Sequence, residues 1–306
     1  SGKGFIPVGS NRALFTGNLD GNYHSITNLY INNTIPPWDG QSYTGLFGYS
    51  SGNFTKINLI NVTVYGISFV GGLVGVSYGQ VTESSVTGNV HGSIIVGLLV
   101  GDLESPSGFI KNCYSNGNTY GLGYTGGLVG NMNNRANITN SYSTGSVTGR
   151  VGDTGGLVGG ISNYAKINNC FSTVYVPANS GGLLGTGYDI GSIKNSYWSK
   201  LPSGASSCMA GGGSSSACIP IQNNQTYFYS STSPPINSWN FTDIWKEVPG
   251  DYPILQSFVV LWCNGADANK DGVVDALDSV VISNNYGQHC SGNVSESSPS
   301  PEIVVG

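Results

Sequence analysis

The sequence predicts an all-β fold: a parallel β-solenoid (β-helix) of coils about 26–29 residues long, followed by a small separate module. Three observations carry this. Tyr124-Thr-Gly-Gly-Leu-Val-Gly130 returns as Thr154-Gly-Gly-Leu-Val-Gly159, with looser copies at Thr44-Gly-Leu-Phe-Gly48, Val70-Gly-Gly-Leu-Val-Gly75, Val96-Gly-Leu-Leu-Val-Gly101 and Ser180-Gly-Gly-Leu-Leu-Gly185. Anchored on the final glycine, the copies are spaced by 27, 26, 29, 29 and 26 residues, and a repeat of that period is the mark of a solenoid or array. Finally, only 9% of the 306 residues are charged while 47 are glycine. That composition suits β-structure with a tight turn in every coil.

The chain opens with short strand-like pieces, Phe5-Ile-Pro-Val-Gly9 and Phe15-Thr-Gly-Asn-Leu-Asp-Gly21, broken by glycine turns. Ser25-Ile-Thr-Asn-Leu-Tyr-Ile31 alternates as a strand with one buried face does. A loop with Pro36, Pro37 and Trp38 then leads to the first Gly-Leu copy.

Each later repeat has two legible parts, a strand starting at an aliphatic and the Gly-Leu-Val-Gly turn-and-strand. Aligned on Ile110, Ile138, Ile167 and Ile193, the third residue is Asn112, Asn140, Asn169 and Asn195. The fourth is Cys113, Ser141, Cys170 and Ser196, and the fifth Tyr114, Tyr142, Phe171 and Tyr197. Equivalent residues of adjacent coils stack about 4.8 Å apart, so these columns predict an Asn ladder and an aromatic stack. The same columns also admit a ligand-binding strip, a weaker reading than structural stacking. The Leu column (Leu46, Leu73, Leu99, Leu128, Leu157, Leu183) should point inward. One period per coil predicts seven to nine coils and a length on the order of 35–45 Å. Cys113 and Cys170, two coils apart at about 9.6 Å, are then too distant for a disulfide and should be free and buried.

Net charge is −5 and no basic run occurs, which argues against nucleic acid and against an anionic membrane surface. No stretch of about 18 apolar residues is present, so no membrane span is expected. The sequence opens at Ser1 without Met; a removed leader and an imposed boundary account for this equally well. Seven Asn-x-Ser/Thr sequons, at Asn32, Asn53, Asn61, Asn137, Asn224, Asn240 and Asn293, and an even six cysteines favour an extracellular or cell-surface glycoprotein.

The glycine-rich copies resemble the GLUG-motif repeats of bacterial and archaeal surface proteins, including stalk regions of IgA-peptidase-type proteins. Phe15-Thr-Gly-Asn-Leu-Asp-Gly-Asn-Tyr-His-Ser-Ile-Thr-Asn-Leu29 looks like that family's N-terminal coil. Trp239-Asn-Phe-Thr-Asp-Ile-Trp245 with Tyr252-Pro-Ile-Leu255 looks like its last coil. The resemblance thus extends the solenoid over residues 1–258. It implies architecture and brings no catalytic residues.

Between Trp198 and Trp239 the rhythm fades, and Cys208 and Cys218 bracket a Gly/Ser-rich loop that a disulfide can staple. A second module spans 259–290. Its segment Asp267-Ala-Asn-Lys-Asp-Gly-Val-Val-Asp-Ala-Leu-Asp278 resembles an EF-hand calcium loop in its dockerin-like form. Asp267, Asn269, Asp271, the carbonyl of Val273, Asp275 and Asp278 supply hard oxygen ligands at the spacing Ca²⁺ needs, and Gly272 makes the sharp turn. Leu277, Val280 and Val281 share one helical face after it. Dockerins carry two such loops and this chain has one, which favours a structural clamp over cohesin-type docking. A Cys263–Cys290 bridge would close this module and contribute roughly 3–4 kcal/mol. Residues 291–306 form a Ser/Pro spacer ending in Ile303, Val304 and Val305, a β-prone segment able to add a strand to a sheet edge.

No column of the solenoid supplies the carboxylate pair that glycoside hydrolysis needs. Asp20, Asp39, Glu83, Asp102, Glu104, Asp153 and Asp189 are scattered, His24, His91 and His289 lie far apart, and no nucleophile motif occurs. The sequence therefore points to a non-enzymatic extracellular protein. The leading expectation is end-to-end self-assembly into a surface filament or lattice, with tail strands pairing to a neighbour and calcium and disulfides as bracing. The alternative is a monomeric adhesin or stalk module that binds a host, cell-surface or glycan partner.

Overall fold

The computed structural model describes residues 2, 4–35, 42–150, 152–200, 204–210, 218–221 and 228–258. They fall into two compact units that divide at Asn223/Asn224.

The first unit is a right-through parallel stack of about six turns, roughly 30 Å along its axis at one rung per strand spacing. Seven strands along one sheet and eight rungs along another bound these turns, within the seven to nine coils counted from the period, and the last parallel strand is Cys218–Ile221. Three sheets wrap a common core. The seven-stranded sheet takes one short strand per turn, such as Phe109–Lys111, Asn137–Thr139 and Lys166–Asn168. The nine-stranded sheet takes the longer strands, such as Tyr114–Tyr120 and Tyr142–Thr148. The twelve-stranded sheet takes two strands from each of the first five glycine-rich copies, such as Tyr124–Gly126 and Val129–Met132, one from the last, Gly181–Gly187, and Ser207–Met209 beyond it.

The pairing reproduces the register read from the glycines: Phe47 faces Val74, Val74 faces Val100, Val100 faces Val129 and Val129 faces Val158. All six leucines of the motif column are buried. The kink before each leucine needs glycine for lack of space: a Cβ on Gly126 would lie 2.0 Å from the carbonyl oxygen of Val129. Opposite the next glycine stands a small residue of the nine-stranded sheet. Ser115 Oγ donates to the carbonyl of Gly127, and Ser143 Oγ to that of Gly156, both at 2.8 Å.

One feature of each coil differs from the two-part reading. The strand that holds Ile110, Phe109–Lys111, stops at Lys111, and Asn112 turns the chain into the next sheet with φ +55°. Lys56, Glu83, Asn140, Asn169 and Asn195 occupy the same corner, all at φ between +45° and +53°. Asparagine tolerates this left-handed conformation better than most side chains. Ile110 and Tyr114 therefore belong to different sheets, with Ile110 inside the core.

The first coil is covered from one side by residues 4–15. Gly4 bridges Ile31, Val8 bridges Phe47 and Phe15 bridges Ser50. This segment occupies backbone groups that an uncovered sheet edge would leave unpaired.

In the second unit, Trp245–Val248 and Asp251–Leu255 pair antiparallel, and Ile236–Ser238 forms a 3₁₀ turn. The segment resembling a last coil thus carries a hairpin. Trp239 stacks on Trp245 with ring centres 4.6 Å apart, and Phe228 meets Trp239 edge-on.

Candidate functional site

Four longitudinal columns run along the solenoid, and each is tied from coil to coil by its own side chains. In the corner column, Asn140 Nδ2 donates to Asn112 Oδ1 at 3.2 Å, Asn169 to Asn140 at 3.3 Å and Asn195 to Asn169 at 3.3 Å. This is the expected Asn ladder. The next column alternates thiol and hydroxyl. The backbone N–H of Cys113 donates to Ser141 Oγ and that of Cys170 to Ser196 Oγ, both at 3.2 Å. Cys113 and Cys170 are free and buried, as the register predicts, and burial pushes both thiols up to about 12. The third column stacks Tyr114, Tyr142 and Phe171 with ring centres 5.2 and 4.8 Å apart. A fourth, on the outer surface of the nine-stranded sheet, joins Asn118 to Asn89 at 2.8 Å and Ser146 to Asn118 at 2.6 Å.

The acid–base chemistry of the first unit centres on Asp102 and Glu104. Asp102 lies in Val100–Leu103, between Val76 and Asn131 of the neighbouring coils. Burial, with help from the nearby Glu104, raises its carboxyl to about 7 against a 2.9 Å hydrogen bond from Asn131 Nδ2. Glu104 accepts from Asn133 Nδ2 at 3.4 Å and Asn134 Nδ2 at 2.7 Å. Two carboxyls thus come close at the end of one strand, Glu104 just past Leu103, which the column comparison did not show. Both are held by amides of the next coil. The groove beside Glu104 is lined by Pro106, Asn134, Arg135, Asn163 and Tyr164, which add no further carboxylate and no histidine. Among the described residues, no three His, Cys, Asp or Glu gather into a metal-binding group.

The sequence-predicted residues are placed as follows. Cys208 and Cys218 form a disulfide with Cα atoms 6.0 Å apart. Asn53, Asn61 and Asn240 are exposed, while Asn32 and Asn137 are half-buried. Asn137 is also engaged on both sides, with Thr139 Oγ1 and Asn168 Nδ2. The calcium loop (Asp267, Asn269, Asp271, Val273, Asp275, Asp278), Cys263, Cys290, Asn224, Asn293 and the tail Ile303, Val304 and Val305 lie outside the described residues.

Sequence reasoning missed a charged flank. Lys111, Lys166 and Lys194 are all exposed on the outer face of the seven-stranded sheet, and Arg135 is exposed on the adjoining corner. The 24-, 31- and 28-residue gaps between the four in chain order hide them from any scan for a basic run. The coil period is what could have found them.

Residues 121–148 match the family of the GLUG motif. The chain is 36% identical over 108 residues to halomucin of Haloquadratum walsbyi, and 39% identical over 90 residues to a protein of Evansella cellulosilytica provisionally named a Gly-rich membrane protein. Those matches cover 34% and 28% of this chain but only 1% and 10% of the relatives, so the chain corresponds to a small part of each. In fold it is similar to a Bacteroides ovatus protein provisionally named an immunoglobulin A1 protease. The TM-score is 0.56 at 21% identity, over 78% of this chain and 76% of that one. The first unit is therefore a β-solenoid carrying the GLUG motif, of a form already seen in a solved structure.

Proposed function

We propose that the chain is a non-catalytic module of an extracellular or cell-surface protein, a β-solenoid stiffened by ladders that presents a flank to a partner or glycan. The observation that carries this reading is the ladder set. The polar columns that could have formed a substrate strip spend their amides, hydroxyls and rings on one another. Likeness to parts of a protein named as a mucin and of one named as a membrane protein supports the location. Among the described residues no helix is long and apolar enough to cross a membrane. In this reading Ca²⁺ held by the 267–278 loop, and a Cys263–Cys290 bridge, brace the module that follows.

The test is incubation of the full chain with a panel of plant, bacterial and animal polysaccharides. Retention on at least one of them with no new reducing ends supports the proposal. Release of reducing ends that Asp102→Asn abolishes refutes it.

A second reading, end-to-end assembly, draws on a specific observation. The segment covering the first coil exposes Ile6, Val8 and Leu14, an apolar surface that could receive Ile303–Val305 of another copy. Against it stands the same segment's pairing with the first coil, which leaves less edge for strand addition.

A further inference from the structure

We propose that the outer face of the seven-stranded sheet, with its adjoining corner, binds a carboxylated polysaccharide of about one negative charge per sugar ring. The inference rests on the reading of the chain as a surface-presented module and names the flank and the class of partner.

The face is electrostatically out of keeping with its chain. The protein carries a formal net charge of −5, yet from Phe109–Lys111 to Ser192–Lys194 the outward side chains of this sheet are Phe109, Lys111, Asn137, Thr139, Lys166, Asn168, Ser192 and Lys194, three cations and no acid. Arg135 adds a fourth cation at the corner. Among the described residues none of the four forms an ion pair. The acids nearest in the coil path are Glu83, Glu104 and Asp189. Glu83 accepts from the Tyr23 hydroxyl, and Glu104 accepts from Asn133 and Asn134. Asp189 stands exposed one rung beyond Asn163 on the same corner, its backbone carbonyl accepting from the Tyr164 N–H at 2.7 Å. On the sheet face itself the exposed Lys111, Lys166 and Lys194 have no acid among them, and on a scaffold this rigid they are positioned for an external anion.

Spacing selects the kind of anion. Lys111 and Lys194 occupy one column three rungs apart, about 14 Å at the strand spacing. Four cations over that length give about one per rung. Double-stranded DNA carries one charge per about 1.7 Å, about three times denser than this face at one cation per rung. A sugar chain with one carboxylate per ring matches it far better. The other groups suit a sugar. Tyr164 is 57% exposed and offers a ring face beside Arg135, Asn134, Asn163 and Pro106 in the groove. The planar guanidinium of Arg135 can hold a carboxylate through two parallel hydrogen bonds.

The experiment measures binding of polygalacturonate to the full chain by calorimetry at 50 mM salt, beside its fully methyl-esterified form and double-stranded DNA. The proteins are wild type, Tyr164→Ala and the combined Lys111→Gln, Arg135→Gln, Lys166→Gln, Lys194→Gln variant, each checked for unchanged circular dichroism. Expected are binding of the acid form at least about tenfold tighter than the ester, a loss of about tenfold or more in the four-site variant, and a several-fold loss in Tyr164→Ala. Raising salt to 300 mM should weaken the acid form about tenfold, since exposed charges are screened. No binding of polygalacturonate, equal binding of the ester, equal or tighter binding of DNA, or indifference to the four-site change overturns the inference. Retention of a neutral polysaccharide alone would leave the surface-module reading intact and remove only this refinement of it.

Discussion

Replacing Asn140 separates the two reasons the corner column is asparagine. Asn140 is buried, sits at φ +49° and makes a ladder bond on either side, to Asn112 and from Asn169. Asn140→Gly removes both bonds and keeps a residue at ease in the left-handed region. At about 1 kcal/mol per hydrogen bond, it should destabilise the solenoid by about 2 kcal/mol. Asn140→Ala removes the same bonds and adds about 1 kcal/mol for a Cβ in that conformation, about 3 kcal/mol together. Asn195→Ala, exposed and with one ladder bond to Asn169, should fall near 2 kcal/mol. These are large fractions of a typical domain stability of about 5–15 kcal/mol. Equilibrium urea unfolding, followed by circular dichroism, gives the differences. An alanine variant as stable as the glycine variant would refute the conformational argument. A glycine variant as stable as wild type would refute the ladder's contribution.

Three further outcomes follow from buried groups. Because Asp102 has its folded carboxyl raised to about 7 from an ordinary value of 3.8, its contribution favours folding below about pH 4 and is lost as pH rises to about 7. Asp102→Asn should therefore gain on wild type in urea midpoint between pH 4.5 and 7.5; a constant difference across that range would contradict the burial assignment. Opening the Cys208–Cys218 bridge, which spans 10 residues, should lower stability by about 2.5 kcal/mol in the loop-entropy model. The paired Cys208→Ser, Cys218→Ser variant tests this, and an unchanged unfolding midpoint would count against it. Cys113 and Cys170, buried and with thiols pushed up to about 12, should escape N-ethylmaleimide at pH 8 until the chain is unfolded. Peptide mapping that finds either labelled in the native protein would show that the ladder column opens.

What was legible in the sequence is what each coil specifies for itself. Gly126, two residues before Leu128, is required by a carbonyl 2.0 Å from its missing Cβ, and the same close approach recurs at Gly71, Gly97, Gly155 and Gly181, so the motif alone fixed the register. Cys113, Ser141 and Cys170 could then be placed in one column without coordinates. The corner at Asn112 was less visible, because a left-handed residue between two strands reads as a continuation of one strand. Its mark was the shared tolerance of positive φ in one column, obscured by Lys56 and Glu83 in the early coils. The covering segment, residues 4–15, makes isolated bridges in place of a regular strand, so no alternation betrayed it. The cationic flank was hidden for a different reason. Lys111, Arg135, Lys166 and Lys194 become neighbours only when the period is wound into turns, and composition alone argued for an acidic surface throughout.

The most direct test of the account is negative-stain electron microscopy of the purified full chain and of a version ending at Ser291, each with calcium and with EDTA. A surface module that presents its flank predicts discrete, compact particles for both chains in every condition. Long, uniform fibres that disappear when the tail is removed would contradict it and establish tail-mediated assembly instead.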